Sequence, residues 1–307
     1  MGLRARLAAL ADKNDVVYSF VTTPAAWFSA AVLVVLVAAA LSAPWLSSVN
    51  PFDLGSLDVT DAHLPPAWTE EGDARFWLGT DDQGRDLLSA ILYGLRLSLS
   101  ISLVSVALSI VIGVGLGVTA GFAGGWIDTV LMRVCDVMLS FPAILVALLA
   151  DGILRSAFPG AAHESVAYFV LIFAITLSGW VPYARTVRGL TLVEKGKEFV
   201  MAAELIGEKK LTVMRRHILP NVLGPVFVLA AVNVATAVMT EATLSFLGVG
   251  VPPTTPSLGT LIRIGNDYLF SGEWWICIFP GIVLIAVVLA VNLLGDWLRD
   301  AVNPGLQ

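Results

Sequence analysis

The chain has 307 residues, of which 57% are hydrophobic and 14% charged, with a formal net charge of −6. A mean hydropathy of +0.83 is too high for a soluble globular chain of this length, so a membrane protein with several spans is expected. Acidic and basic residues gather in different segments, so the net charge does not point to nucleic acid, and none is expected as a partner. Cys135 and Cys277 each stand alone inside apolar runs, without metal-ligand spacing, and read as buried free thiols.

Six apolar runs reach the roughly twenty residues that a helix needs to cross a hydrocarbon core. They lie at 25–46, 97–122, 129–150, 166–184, 222–247 and 275–296. The expected fold class is therefore an all-α integral membrane protein with six transmembrane helices. Residues 1–24 form an N-terminal segment before the first span, 25–46. Leu41-Ser-Ala43 resembles a signal-peptidase site, but Pro44 would follow the cut and the run is long, so an uncleaved span is expected. Residues 47–96 form the longest hydrophilic piece, rich in turn formers such as Asn50-Pro51 and Pro65-Pro66. A five-helix core follows at 97–296, interrupted by a polar loop at 185–221, and a short tail covers 297–307.

Lys and Arg set the orientation. With both termini cytoplasmic, thirteen of the eighteen fall inside, eight of them in the loop between spans four and five. Only Arg75, Arg85, Arg96, Arg155 and Arg263 fall outside, and the external segment 47–96 carries nine acidic residues. This arrangement places the polar loop 185–221 in the cytoplasm.

The second span carries Ser98, Ser102, Ser105, Ser109, Gly113, Gly117 and Gly121 on one face. Such a stripe lets a neighbouring helix approach closely, or lines a polar path; packing is the favoured reading. Asp136 follows Arg133 by three residues, so the two are expected to neutralise each other rather than relay protons. Glu241 lies in the most polar stretch of any span, with Asn233, Thr236, Thr240 and Thr243. It either lines a cavity or hydrogen-bonds a re-entrant loop. His63, His163 and His217 have no spaced partners and read as surface residues. No GxxxxGK[ST] loop is present, and no nucleophile-base pair emerges from spacing, so no catalytic residue, bound cofactor or metal is expected in this chain.

The polar loop itself has internal order. Phe199, Ala202, Ala203 and Ile206 recur at helical spacing, with Lys197, Glu198 and Glu204 elsewhere on the surface, and Gly207 is a natural stop. Leu211, Met214 and Ile218 then mark a basic amphipathic segment, and Pro220 suits the entry to the fifth span. The predicted unit is helix, glycine elbow, helix, positioned to meet a soluble partner at the membrane surface.

Met201-Ala-Ala-Glu-Leu-Ile-Gly207, followed after nine residues by His217-Ile-Leu-Pro-Asn221, resembles the EAA loop of permease subunits of bacterial ABC importers. Three further blocks agree with the dipeptide and oligopeptide branch: Leu78-Gly-Thr-Asp-Asp-Gln-Gly-Arg-Asp86, Glu241-Ala-Thr-Leu-Ser-Phe-Leu-Gly248 and Gly295-Asp-Trp-Leu-Arg-Asp-Ala-Val-Asn-Pro304. The chain departs from the family pattern at Met201, where a glutamate is usual, and at Leu258, where a tryptophan is frequent. The resemblance to a DppC/OppC-like subunit implies a type I ABC importer permease fold in the bacterial inner membrane. It implies a homologous second permease subunit (DppB/OppB-like), two ABC ATPase subunits that carry ATP and Mg, and an extracytoplasmic peptide-binding protein. Di- or oligopeptides are the implied cargo, with glutathione, nickel chelates or antimicrobial peptides as alternatives in the same branch. Carried onto this chain, Phe199, Met201, Ala202, Ala203, Glu204 and Gly207 would form the ATPase-coupling helix. Arg215, His217 and Pro220 would join it to the next span. Ser98, Ser102, Ser105, Asn233, Thr240 and Glu241 are pathway or packing candidates. A proton-coupled secondary transporter using Glu241 or Asp136 is the competing reading; it would be favoured by paired broken helices in internal repeats, which the sequence does not clearly show.

Overall fold

A computed structural model describes residues 15–47, 50–53, 55, 57–157 and 163–302. Arg4, Arg6, Lys13, the tail after 302 and the side chains of Arg155 and His163 lie outside the described residues. Eleven helices are used below to describe the chain. The first, α1 (Asp15–Thr22), is separated from α2 (Pro24–Leu46) by Thr23, which is extended, as a residue before proline prefers to be. α2 matches the first predicted span closely.

The hydrophilic segment over 57–86 folds into a clasp rather than a free loop. Arg75 bridges Asp61 and Asp73, each at 2.8 Å. Thr80 donates from Oγ1 to the Asp61 carbonyl at 2.6 Å and accepts from the Leu64 N–H at 2.8 Å, while Trp275 Nε1–H donates to the Thr80 carbonyl at 3.1 Å. Arg85 is fully buried: its Nε donates to Asp81 at 2.6 Å and its Nη1 to the Pro253 carbonyl at 2.6 Å. Burial without such partners would be prohibitive for a guanidinium. Asp82 sits beside this pair at 3.8 Å from Arg85 Nη2. Burial, reinforced by the charge of Asp81, pushes its carboxyl above the ordinary carboxylate value.

Asp86 then caps α3 (Leu87–Ala123), accepting from the Ser89 N–H at 3.0 Å and from the Ser89 hydroxyl. The helix therefore starts ten residues before the predicted span at 97. At 37 residues it is about 55 Å long, well beyond the hydrocarbon thickness. Its outer turns are shielded by other protein: Leu87, Ala90, Ile91 and Leu95 are buried in one cluster with Leu258 and Leu261. Gly124 and Gly125, both with positive φ, turn the chain into α4 (Gly125–Ser140).

The predicted third span at 129–150 is not one straight helix. α4 and α5 (Ala143–Ala157) meet at Phe141-Pro142, and the axes bend by 95°. Pro142 removes a helical N–H and pushes Phe141 into the extended region, so the ladder breaks there. The fourth span, predicted to end at 184, continues as α6 (His163–Lys195), carrying Arg185, Arg188 and Lys195 on its inner end. α7 (Glu198–Leu205), the short α8 (Lys210–Val213) and a π-helical turn at Met214–Ile218 lead into α9 (Leu219–Phe246). α10 (Leu258–Tyr268) wedges between α3, α9 and α11 (Trp274–Val302). Among the described residues, five helices are long and apolar enough to span a membrane, six when the bent pair α4 and α5 is taken as one span.

The tightest association joins α3 and α6. A Cβ added at Gly113 would lie 2.6 Å from the Trp180 carbonyl oxygen, one at Gly117 2.6 Å from that of Ala184, and one at Gly121 2.7 Å from Thr191 Cβ. Ser98, Ser102, Ser105 and Ser109 are all buried. Gly113, Gly117 and Gly121 thus form a packing seam against α6, while Ser98 bonds the start of α10. Gly117→Ala is expected to destabilise the folded protein by about 1–3 kcal/mol, as overpacking does. Gly115→Ala, which meets open space, should be neutral or mildly stabilising; detergent unfolding of the two variants measures the difference.

The raised Asp82 carboxyl has its own signature. Its folded form holds the proton more tightly than the unfolded chain does, so this group makes stability fall as pH rises from the ordinary 3.8 through its raised folded value. Asp82→Asn should remove that slope while leaving the Asp81–Arg85 pair in place. Unfolding midpoints measured across this window would contradict the assignment if wild type and variant ran parallel.

Candidate coupling loop and translocation pathway

α7 ends in a Schellman motif. The Glu208 N–H donates to the Ala203 carbonyl at 3.1 Å and the Gly207 N–H to that of Glu204 at 3.0 Å, with Gly207 at φ +85°. A Cβ at Gly207 would meet nothing, so glycine is required there by backbone conformation and not by close approach. The elbow is tied to the following segment by Glu208, whose Oε2 lies 3.1 Å from His217 Nε2, and the Phe199 ring rests near the same imidazole. His217 is therefore half-buried and paired, more than a bare surface residue.

The apolar stripe predicted for α7 divides. Val200 and Ala203 face inward and pack with Val213, Ile218 and Val222 against Val118 and Phe122 of α3. Phe199, Met201 and Ala202 face outward instead, and Leu205 and Ile206 are 88% and 82% exposed. The next segment also differs from expectation, since Val213 is buried where Leu211 is exposed. The π turn at 214–218 adds a residue to the turn and changes which side chains face in. It also precedes Pro220, whose ring would clash with the Arg216 carbonyl in a regular helix. Arg215, Arg216 and Glu204 are all exposed, giving the loop charged as well as apolar surface.

Ion pairs fasten the helix ends nearest this loop. Asp136 hydrogen-bonds Arg185 of α6, with Arg133 farther away at 3.8 Å. The predicted Arg133–Asp136 pair is thus the weaker of two, and the principal partner comes from another helix. Asp128 binds Arg188 through both carboxylate oxygens. Lys195 Nζ donates to the Phe122 carbonyl at 2.8 Å, satisfying a group that the end of α3 leaves free.

A cavity of about 190 Å³ opens between α3, α6 and α9. Ser109, Ser178, Tyr183, Asn233, Thr236 and Thr240 supply its polar lining, and none is charged. The Tyr183 hydroxyl faces Asn233 across it. Of the residues named as pathway or packing candidates, Asn233 and Thr240 line this cavity, whereas Ser98, Ser102 and Ser105 do not. Tyr183 and Ser178 were not singled out by the sequence because they lie in an ordinary apolar run; only their offset from Pro182 hints at them.

Glu241 is absent from the cavity lining and is fully buried at the junction of α3, α9 and the segment before α10. It accepts from the Ser245 hydroxyl at 2.7 Å, and the Ser98 and Ser257 hydroxyls face the same carboxylate. Ser98 Oγ also accepts from the Leu258 N–H at 3.3 Å. Of the two readings left open, the structure supports the one in which Glu241 holds a loop. Leu258, where the family often has tryptophan, is fully buried at the start of α10.

Comparison with known proteins agrees with this architecture. Residues 113–307 match the family described as binding-protein-dependent transport system inner membrane component, and residues 14–66 match the N-terminal TM domain of oligopeptide transport permease C. The chain is 38% identical over 276 residues to the di/tripeptide transport system permease protein DppC of Pseudomonas aeruginosa, covering 90% of this chain and 86% of that one. It is also 38% identical to the dipeptide transport system permease protein DppC of Escherichia coli K12, with 90% and 87% covered. Among solved structures, an inward-facing MetNI methionine ABC transporter is similar in fold, with a TM-score of 0.56 at 20% identity over 70% of this chain and 96% of that one. The chain is a multi-pass inner-membrane protein and belongs to the binding-protein-dependent ABC transport permease family.

Proposed function

We propose that this chain is the membrane permease subunit of an ATP-driven importer of di- or oligopeptides, and that α7 with its elbow is where ATPase subunits push on it. The single observation that carries the reading is the outward face of α7. Leu205 and Ile206 are almost wholly exposed on a helix held in place by a Schellman turn and the His217–Glu208 pair. Apolar side chains displayed on a rigid turn are what an interface core requires. Peptide cargo is supported by the relatives, which are di/tripeptide and dipeptide transport system permeases.

The partners follow from this reading: a homologous second permease subunit, two ATPases that bind ATP and Mg, and an extracytoplasmic binding protein that delivers the peptide. Both termini face the cytoplasm, as the Lys and Arg distribution favours. ATPase closure carries α7 with the inner ends of α6 and α9, and the uncharged cavity between α3, α6 and α9 opens to one side or the other. The chain binds no cofactor of its own and makes or breaks no bond.

Reconstituted vesicles test the reading. Peptide uptake should require ATP and the ATPase subunits and ignore a proton gradient; uptake that follows a proton gradient without ATP would overturn it. Gly207→Trp forces a bulky residue into a left-handed conformation and should preserve membrane insertion while greatly reducing ATPase copurification and uptake. Normal copurification and normal uptake in that variant would remove α7 from the coupling role.

A further inference from the structure

Arg96 lies within α3, is exposed, and forms no hydrogen bond or ion pair with another described residue. An unpaired guanidinium on a membrane-spanning helix is costly unless something supplies the counter-charge. Tyr93, one turn earlier, meets the ring of Phe52 at 5.2 Å, and the apolar run begins at Leu97, directly after Arg96. In the orientation proposed above, that edge of the run is where outer-leaflet lipid phosphates lie.

Arg96 also lines a groove of about 600 Å³ between α2, α3, α9 and α11. Below the arginine the walls are apolar, including Leu33, Val37 and Leu41 of α2, Leu99 and Leu103 of α3, and Val234 of α9. The stripe of α3 that continues from Arg96 through Leu103 to Val111 is exposed, opposite the buried serine and glycine seam. A cation at the rim and a long apolar trough beneath it together match one kind of molecule.

We infer that this groove binds an outer-leaflet phospholipid, with the phosphate on Arg96 and an acyl chain laid between α2 and α3. A planar guanidinium suits two phosphate oxygens at once, and the chain removes apolar wall from an otherwise unfilled crevice. The inference does not depend on the cargo or on ATP coupling.

Native mass spectrometry of the complex that copurifies with this chain, extracted in the presence of phosphatidylglycerol, tests it. Arg96→Gln should lower retained phosphatidylglycerol several-fold, and Arg96→Lys should restore part of it. Val37→Trp, which fills the trough and leaves the arginine intact, should also lower it. Unchanged lipid retention in both Arg96→Gln and Val37→Trp would overturn the inference. So would loss of another membrane subunit from the Arg96→Gln complex with lipid retention unchanged, because the groove would then be a protein interface. Membrane insertion and the unfolding midpoint of each variant distinguish lost lipid from lost fold.

Discussion

The closeness of α3 to α6 is the constraint on which the rest depends. Without side chains at Gly113, Gly117 and Gly121, the backbone of α3 lies against the carbonyls of Trp180, Ala184 and Arg188, and no larger residue fits. In a bilayer, where apolar burial drives little association, such van der Waals contact is a main source of helix pairing. The seam ends in polar locks: Arg188 on Asp128, Arg185 on Asp136 and Lys195 on the last turn of α3. α6 is thereby held against α3 as an arm that projects past the apolar run and leads into α7. The loop is presented by a stiff support, and Val200 and Ala203 brace it from below.

The outer end is fixed by different chemistry. The Asp81–Arg85 pair reaches the Pro253 carbonyl, and Glu241 gathers hydroxyls from α3, α9 and the segment before α10. Each node joins parts of the chain far apart in sequence, so the mouth of the helical bundle is set by buried polar contacts while its middle is set by glycine and serine. Buried ionic groups of this sort are poor sources of net stability, but their contacts tie distant segments into one arrangement. Between the two ends lies the uncharged cavity of Ser109, Tyr183, Asn233 and Thr240. A lining with hydroxyls and amides but no fixed charge suits cargo whose side chains vary in charge, which is what a path for assorted peptides demands.

Much of this was legible in the residues. Hydropathy located the apolar runs but merged α4 and α5 into one span, and helical spacing with Gly207 located α7 and its elbow. The glycines of the small-residue stripe pack as expected, whereas Ser109 lines the cavity. What failed did so where tertiary contact overrides local pattern. α3 begins at Leu87 because α10 and the external clasp shelter turns that hydropathy alone leaves outside. α6 runs past 184 because Asp128 and Asp136 neutralise arginines that read as the end of a span. The break at Phe141-Pro142 was visible as a proline in an apolar run, yet composition carried the reading through it. The π turn at 214–218 leaves no mark on hydrophobic spacing, so the buried side chain turned out to be Val213 and not Leu211. Arg85 and Asp81 stood in a recognised motif, but nothing in their spacing gave the distant Pro253 carbonyl.

The central claim is that a rigid inner arm displays Leu205 and Ile206 to ATPase partners. Cysteine cross-linking tests it most directly: Leu205→Cys or Ile206→Cys, paired with single cysteines on the copurifying ATPase, in membranes with Cys135 and Cys277 replaced. The account predicts a permease–ATPase cross-link from both positions, whose yield changes when ATP is bound, and none from Val111, which is also exposed but lies on the span itself. An assembled complex that gives no cross-link from either position of α7 would contradict it.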